Sequence, residues 1–354
     1  MTNSWHIHDG FLFCGFLFLT GCGSVVRPYG STAADVYLAG FEAGTSEVAT
    51  YWKNGVKVAL TDGTYGAYAD GIAVSGNDVH VVGNEESANG HDIAMYWKNG
   101  VPTQLTDGTK QGYATGIALS GSDVYISGSE NSFDPSGNLY SVAEYWKNGV
   151  PVVVSGSSSG ASALAILVSG TDVYVAGWEN KTTQTGPSSY VIEPVAKYWK
   201  NGVAVALTDG STLAEAFSIF VLGNDVYVSG INCLTTTAGC ERAALWKNGK
   251  LTQLETTDPS TASSVFVAGS DVYISENAVS AATNLDVAEL WKNNADTTLA
   301  EDVIAAANQV VISGGDVYVA GAWPLVGYWK NGSFVSVARN NNISSAYAIA
   351  VVPR

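Results

Sequence analysis

Four glutamates recur at one place in a repeated pattern. Glu42, Glu85, Glu130 and Glu179 each close the sequence Gly-x-Glu. Four carboxylates set in an arc could bind a cation, or accept hydrogen bonds from sugar hydroxyls. The competing reading is that each glutamate caps backbone N–H groups of its own loop, because a repeat encodes it. The pattern is lost at Asn232 and in the later copies, so a complete symmetric ring of carboxylates is excluded.

A second set is aromatic. Trp178, Trp323, Phe41, Phe133, Tyr140 and Tyr190 stand outside the repeat consensus. Exposed, they would give a sugar or protein large contact area with a polar edge. Buried, they would pack beneath long loops. A third set, Asp70, Thr115, Ser263, Asn308 and Tyr347, falls on inner strands and differs in character from copy to copy. It suggests a ligand site at a channel mouth and names no reaction.

The means for catalysis are sparse. Beyond the N-terminal segment the histidines are His80 and His91. His80 stands where other copies have Tyr, which predicts a core role, and His91 is in a loop beside Asp92. No Ser or Cys nucleophile motif, zinc-binding His pair or dense calcium-loop spacing is present. No cofactor is called for. A carboxylate pair across two repeats could support glycosidase or lyase chemistry if the spacing were right.

The elements that must position these residues are legible. Tyr51-Trp52-Lys53-Asn54-Gly55 returns with small changes from Tyr96, Tyr145, Tyr198, Leu245, Leu290 and Tyr328. Asp-Val-Tyr alternates with it from Asp35, Asp123, Asp172, Asp225, Asp271 and Asp316, with Asp78-Val79-His80 as a variant. The period of about 45 residues is that of a four-stranded propeller blade. In one unit, strand A covers 69–76, strand B 78–83, strand C 94–97 and strand D 101–106. Asn-Gly turns the chain between C and D, through its tolerance of positive φ. The aspartate of Asp-Val-Tyr is expected to bond turn amides. The repeated tryptophans are expected between blades.

The first strand B, at Asp35, has no strand A before it, and the last strand A, 346–352, has no strand B after it. The two leftovers should pair and close an all-β, seven-bladed propeller over residues 35–354 without free edges. A closed ring predicts a monomer. The A–B and C–D turns share one face. The B–C loops share the other, vary in length, and are the expected binding face.

Composition agrees. The chain has 354 residues, 46% of them hydrophobic, with 39 Gly and 9 Pro. That suits one large core with many tight turns. The net charge of −16 includes only 16 Lys and Arg, seven of which belong to the Trp-Lys-Asn repeats. Nucleic acid is therefore not an expected partner, since its phosphates would be repelled. Cys233 and Cys240 share one loop and read as a disulfide, implying an oxidising compartment. The alternative is a two-ligand metal site.

The apolar run 11–19 is too short to span a bilayer as a helix, but fits a signal-peptide core. Leu19-Thr20-Gly21-Cys22 follows directly and resembles the bacterial lipobox. The resemblance implies a signal peptide over 1–21, lipid modification of Cys22, a tether over 22–34 and membrane attachment through the lipid. A plain secretory signal or a membrane anchor is the alternative. By resemblance to enteric lipoproteins, Gly23 rather than Asp after the cysteine implies an outer-membrane lipoprotein, facing the periplasm or the surface.

The paired repeats resemble those of exported bacterial seven-bladed β-propeller lipoproteins, across residues 35–352. The plan is also similar to the lipoprotein propeller of the outer-membrane protein assembly machinery, which has eight blades and a different repeat. These resemblances imply a fold and an envelope-anchored scaffold that binds a protein or glycan through its B–C loop face. A polysaccharide-active enzyme with carboxylates at the channel mouth is the alternative.

Overall fold

The computed structural model describes residues 34–156, 160–186, 189–235, 240–254, 259–323, 325–337 and 344–354. The expected signal peptide, Cys22 and nearly all of the tether lie outside them. The described residues form seven antiparallel four-stranded sheets and no helix. This is a seven-bladed β-propeller. Blade 1 takes its innermost strand, Ser344–Pro353, from the end of the chain and pairs it with Ala34–Glu42. Blades 2 to 7 follow in sequence, each running from strand A to strand D. The ring therefore closes through the pairing expected of its two leftover strands, with Asp35 opposite Val352.

The repeated residues build the seams. Trp52, Trp97, Trp146, Trp199, Trp246, Trp291 and Trp329 are all buried. Each packs into an apolar cluster that includes residues of the preceding blade. Trp97 of blade 2, for example, meets Tyr37, Ala39 and Ala49 of blade 1, and Trp246 of blade 5 meets Tyr174, Ala176 and Ala196 of blade 4. Full burial of a large side chain stabilises by roughly 1.5–3 kcal/mol, so one tryptophan per blade is a strong seam.

Polar residues of the repeat tie the two hairpins of each blade together. The motif asparagines adopt φ between 49° and 57°, which the C–D turn requires. Their Oδ1 atoms accept from the backbone N–H that follows the motif aspartate, at 2.8–2.9 Å. Their Nδ2 atoms donate to the aspartate itself at 2.7–2.9 Å. The motif lysine completes the cluster, pairing with the aspartate and, in six blades, lying over the Asp-Val-Tyr ring at 4.9–5.3 Å. This corrects the expectation that the aspartate bonds turn amides. The asparagine takes the amide, and the aspartate binds the asparagine and lysine of the other hairpin. Blade 2 lacks the ring because His80 replaces the tyrosine. His80 is buried and its Nδ1 lies 2.6 Å from the Tyr96 hydroxyl.

Candidate functional site

Strand A carries a one-residue bulge at the same point in all seven blades. In blade 2, Ala69 pairs with Gly83 and Gly71 with Val82, leaving Asp70 unmatched. The same interruption frees Thr115, Leu164, Phe217, Ser263, Asn308 and Tyr347 in the other blades. A bulge re-aims a side chain and increases local twist. All seven of these residues line one central channel of about 480 Å³.

The glycine of Gly-x-Glu lies against the bulged strand in six blades. A Cβ added at Gly40, Gly83, Gly128, Gly177, Gly230 or Gly321 would lie only 1.8–2.0 Å from a strand A carbonyl oxygen. In these six blades glycine lets the two backbones approach that closely. In blade 6, Glu276 holds the equivalent position opposite Ala262.

The ring is uneven. Leu164 and Phe217, from adjacent blades 4 and 5, form an apolar arc, and the other five members are polar or phenolic. Several polar members are occupied in joining blades. The Thr115 hydroxyl donates to Ala163 O at 2.8 Å. Asn308 Nδ2 donates to Ala346 O at 2.8 Å. Within blade 6, Ser263 Oγ accepts from Asn277 Nδ2 at 2.9 Å.

Asp70 differs. Its side chain keeps an opening to the channel but is crowded by protein on every side. No hydrogen-bond donor or cation among the described residues compensates its charge. Burial, reinforced by the negative charge of Asp92, pushes its pKa up to about 7. Asp92 is held by the Asn84 side chain at 3.3 Å, and its N–H donates to Gln111 Oε1 at 2.6 Å. Burial and Asp92 push the Tyr113 phenol up to about 12. Burial and the charge of Asp70 raise Tyr347 further still. Tyr68, next to this group, is raised by burial and by Glu47, Asp92 and Asp70. Phe41 packs edge-on against Tyr68 at 5.2 Å and lies 5.8 Å from Tyr347. The polar side of the channel mouth is thus an acidic pocket with aromatic walls.

The four Gly-x-Glu carboxylates are held elsewhere, and none lines the channel. Glu42 pairs with Lys57 on strand D of its own blade. Glu85 faces a groove between blades 1 and 2 with Asp62 and Trp97, and burial raises its pKa. Glu130 lies near Glu144, whose pKa burial and Glu130 push up to about 7. Glu179 is buried, pairs with Lys197 at 2.6 Å and accepts from Gly156 N–H at 3.0 Å. The structure brings no two of the four together.

Trp178 is half-buried, at the position in blade 4 that Phe41 holds in blade 1. Phe133 and Tyr190 are exposed on the long B–C hairpins of blades 3 and 4, and Tyr140 is half-buried on the first of these. Trp323 lies edge-on to Phe334 at 5.9 Å. His91 Nδ1 is 3.4 Å from Gly108 O. Cys233 and Cys240 are joined by a disulfide.

Asp70, Thr115, Ser263, Asn308 and Tyr347 line the channel as expected from sequence, whereas Leu164, Phe217, Tyr68, Tyr113 and Asp92 are not among the expected residues. A signal for the first two was present. In every copy of strand A an alanine precedes the bulge, and Ile or Val stands two residues beyond it. The bulge position itself holds seven different residue types.

No protein-family model matches the chain, and no curated protein is similar to it in sequence. Among solved structures it is similar to a puromycin-hydrolyzing peptidase of Mycobacterium tuberculosis, with a TM-score of 0.50 and 11% identity. That match covers 75% of this chain and 46% of the peptidase. The tricorn protease gives a TM-score of 0.36 at 8% identity, covering 88% of this chain and 47% of that one. A GH43_1 enzyme from Xanthomonas citri complexed with xylose gives 0.34 at 10% identity, covering 68% of this chain and 91% of the enzyme. The chain spans under half the length of the peptidase it matches, and what the two share is the propeller fold.

Proposed function

We propose that this protein is a binding scaffold of the bacterial cell envelope, and that it recognises a protein or glycan at the channel mouth on its B–C loop face. One observation carries the reading. The repeat keeps Ala just before the strand A bulge and Ile or Val two residues beyond it, yet puts seven different types on the bulge itself. A purely structural position in a repeat has no need of such variety. A rigid ring presenting one distinct group per blade is a means of recognition. The lipobox-like sequence at Cys22 and the disulfide support placement in the envelope.

Plugging the channel tests this. Leu164→Trp adds a large side chain to the ring without touching the blade seams. Glycan-array and peptide binding should be lost while the melting temperature stays within a few degrees of wild type. Binding that survives in the plugged variant moves the site away from the channel.

A second reading has its own observation. An acid with a pKa of about 7 beside a second carboxylate, as with Asp70 and Asp92, is an arrangement used for acid–base chemistry. A polysaccharide-active enzyme would lose turnover in Asp70→Asn while still binding its substrate. A scaffold shows no turnover in either form.

A further inference from the structure

The channel has one charged lining group and an apolar arc, and together they restrict what it can hold. Among the described residues that line it there is no Lys, Arg or His, and Asp70 is the only ionisable carboxylate. Every titratable group that acts on Asp70 or its tyrosine neighbours from the surrounding strands is acidic or phenolic. These are Asp92, Tyr68, Tyr113, Tyr347 and Glu47. The chain as a whole carries −16. A low-dielectric cleft of one sign focuses its field and concentrates the opposite charge. An anionic ligand is therefore repelled. A neutral one leaves the Asp70 carboxylate uncompensated.

The geometry adds the rest. Tyr347 lines the acidic side, backed by Phe41 and Tyr68, and a ring face attracts an ammonium held within about 6 Å of it. Leu164 and Phe217 offer a dry surface from the other side of the ring. The Thr115, Ser263 and Asn308 side chains already have protein partners. They set the shape of the channel and leave Asp70 as its principal polar anchor.

We infer that the channel binds a primary ammonium group carried on a compact apolar body, with the ammonium against Asp70 and the aromatic wall and the apolar part against Leu164 and Phe217. This rests on the reading of the channel as the recognition site. The chemistry is shared by free amines and by lysine side chains of a protein partner. Binding follows the ionisation of Asp70. It is strongest where the carboxylate is charged and falls as pH drops through about 7.

The test uses the propeller with calorimetric titration. The probes are phenethylammonium, its neutral analogue 2-phenylethanol, and an acetylated, amidated Gly-Lys-Gly peptide. At about pH 8 the ammonium should bind about tenfold or more tightly than the alcohol, as a desolvated charge pair predicts. Asp70→Asn should abolish that preference. Lowering the pH to about 5.5 should weaken the ammonium about tenfold or more and leave the alcohol unchanged. Binding of the lysyl peptide assigns the pocket to a protein side chain, and binding of phenethylammonium alone assigns it to a free amine. Equal affinity for the ammonium and the alcohol overturns the inference, as does an undiminished preference in Asp70→Asn or no ammonium binding at millimolar concentration. If neutral glycans bind and Leu164→Trp removes them, the recognition site stands and only the ammonium assignment falls.

Discussion

Replacing Asp70 by Asn stabilises the protein at about pH 8 and leaves it nearly unchanged at about pH 4. The magnitude follows from the pocket. An aspartate with a pKa of about 7 in the native state and 3.8 in the unfolded chain costs on the order of 4 kcal/mol once ionised. The sign is fixed by proton binding. Below pH 3.8 the carboxyl is protonated in both states and costs nothing. Between 3.8 and about 7 the native state keeps a proton that the unfolded chain has released, so stability declines with rising pH. Above about 7 the whole cost is present.

An amide removes this cost. It can also donate from position 70, as Asn308 donates to Ala346 O in the equivalent place of blade 7. The per-residue unfolding entropy gives roughly 1.5 °C per kcal/mol for a domain of this size, so the gain at about pH 8 is on the order of 6 °C. Paired calorimetric scans of wild type and variant at several pH values isolate the effect. Glu144, which also ionises at about 7, is common to both proteins and cancels in the difference. A variant that is no more stable than wild type at about pH 8, or whose gain does not change with pH, refutes the electrostatic account of this pocket. A group that lowers stability where it could have been an asparagine is more readily understood as serving a ligand than as serving the fold.

Three further outcomes are expected. Gly83→Ala places a Cβ 2.0 Å from Tyr68 O, against backbone that cannot yield cheaply. It should cost roughly 3 kcal/mol or more, read as a large fall in melting temperature or loss of soluble protein. Asn99→Ala removes the acceptor for Val79 N–H and the donor to Asp78, and puts alanine at φ 53°. A loss of roughly 1–3 kcal/mol is expected, and Asn99→Gly should lose less because it tolerates the turn. Reducing the disulfide between Cys233 and Cys240, which lie seven residues apart, should cost about 2.5 kcal/mol by loop closure, measured as a lower melting temperature in reductant.

The sequence by itself determined the blade count, the strand order and the closure of the ring. Those features depend on local chemistry repeated seven times. An Asn-Gly turn, a buried Trp and an Asp-Val-Tyr strand each state their structure within a few residues, and their agreement leaves little freedom. Even so, pair partners across hairpins were not local. The motif aspartate finds its asparagine at a separation of 15 to 29 residues, which turn rules do not describe.

The candidate site was decided only in the tertiary structure. The Gly-x-Glu arc was conspicuous as a pattern, but its members are spread over separate blades and held by local partners such as Lys57 and Gly156 N–H. The channel ring was faint in sequence because a bulge is a property of pairing between two strands, and its mark is an ordinary glycine on the opposite one. Asp70 and Asp92 belong to blade 2, and Tyr347 joins them from the far end of the chain because the last strand returns to blade 1, beside blade 2. What raises the Asp70 pKa is burial among the packed blades, which the assembled ring supplies, and then the charge of Asp92 from its own blade.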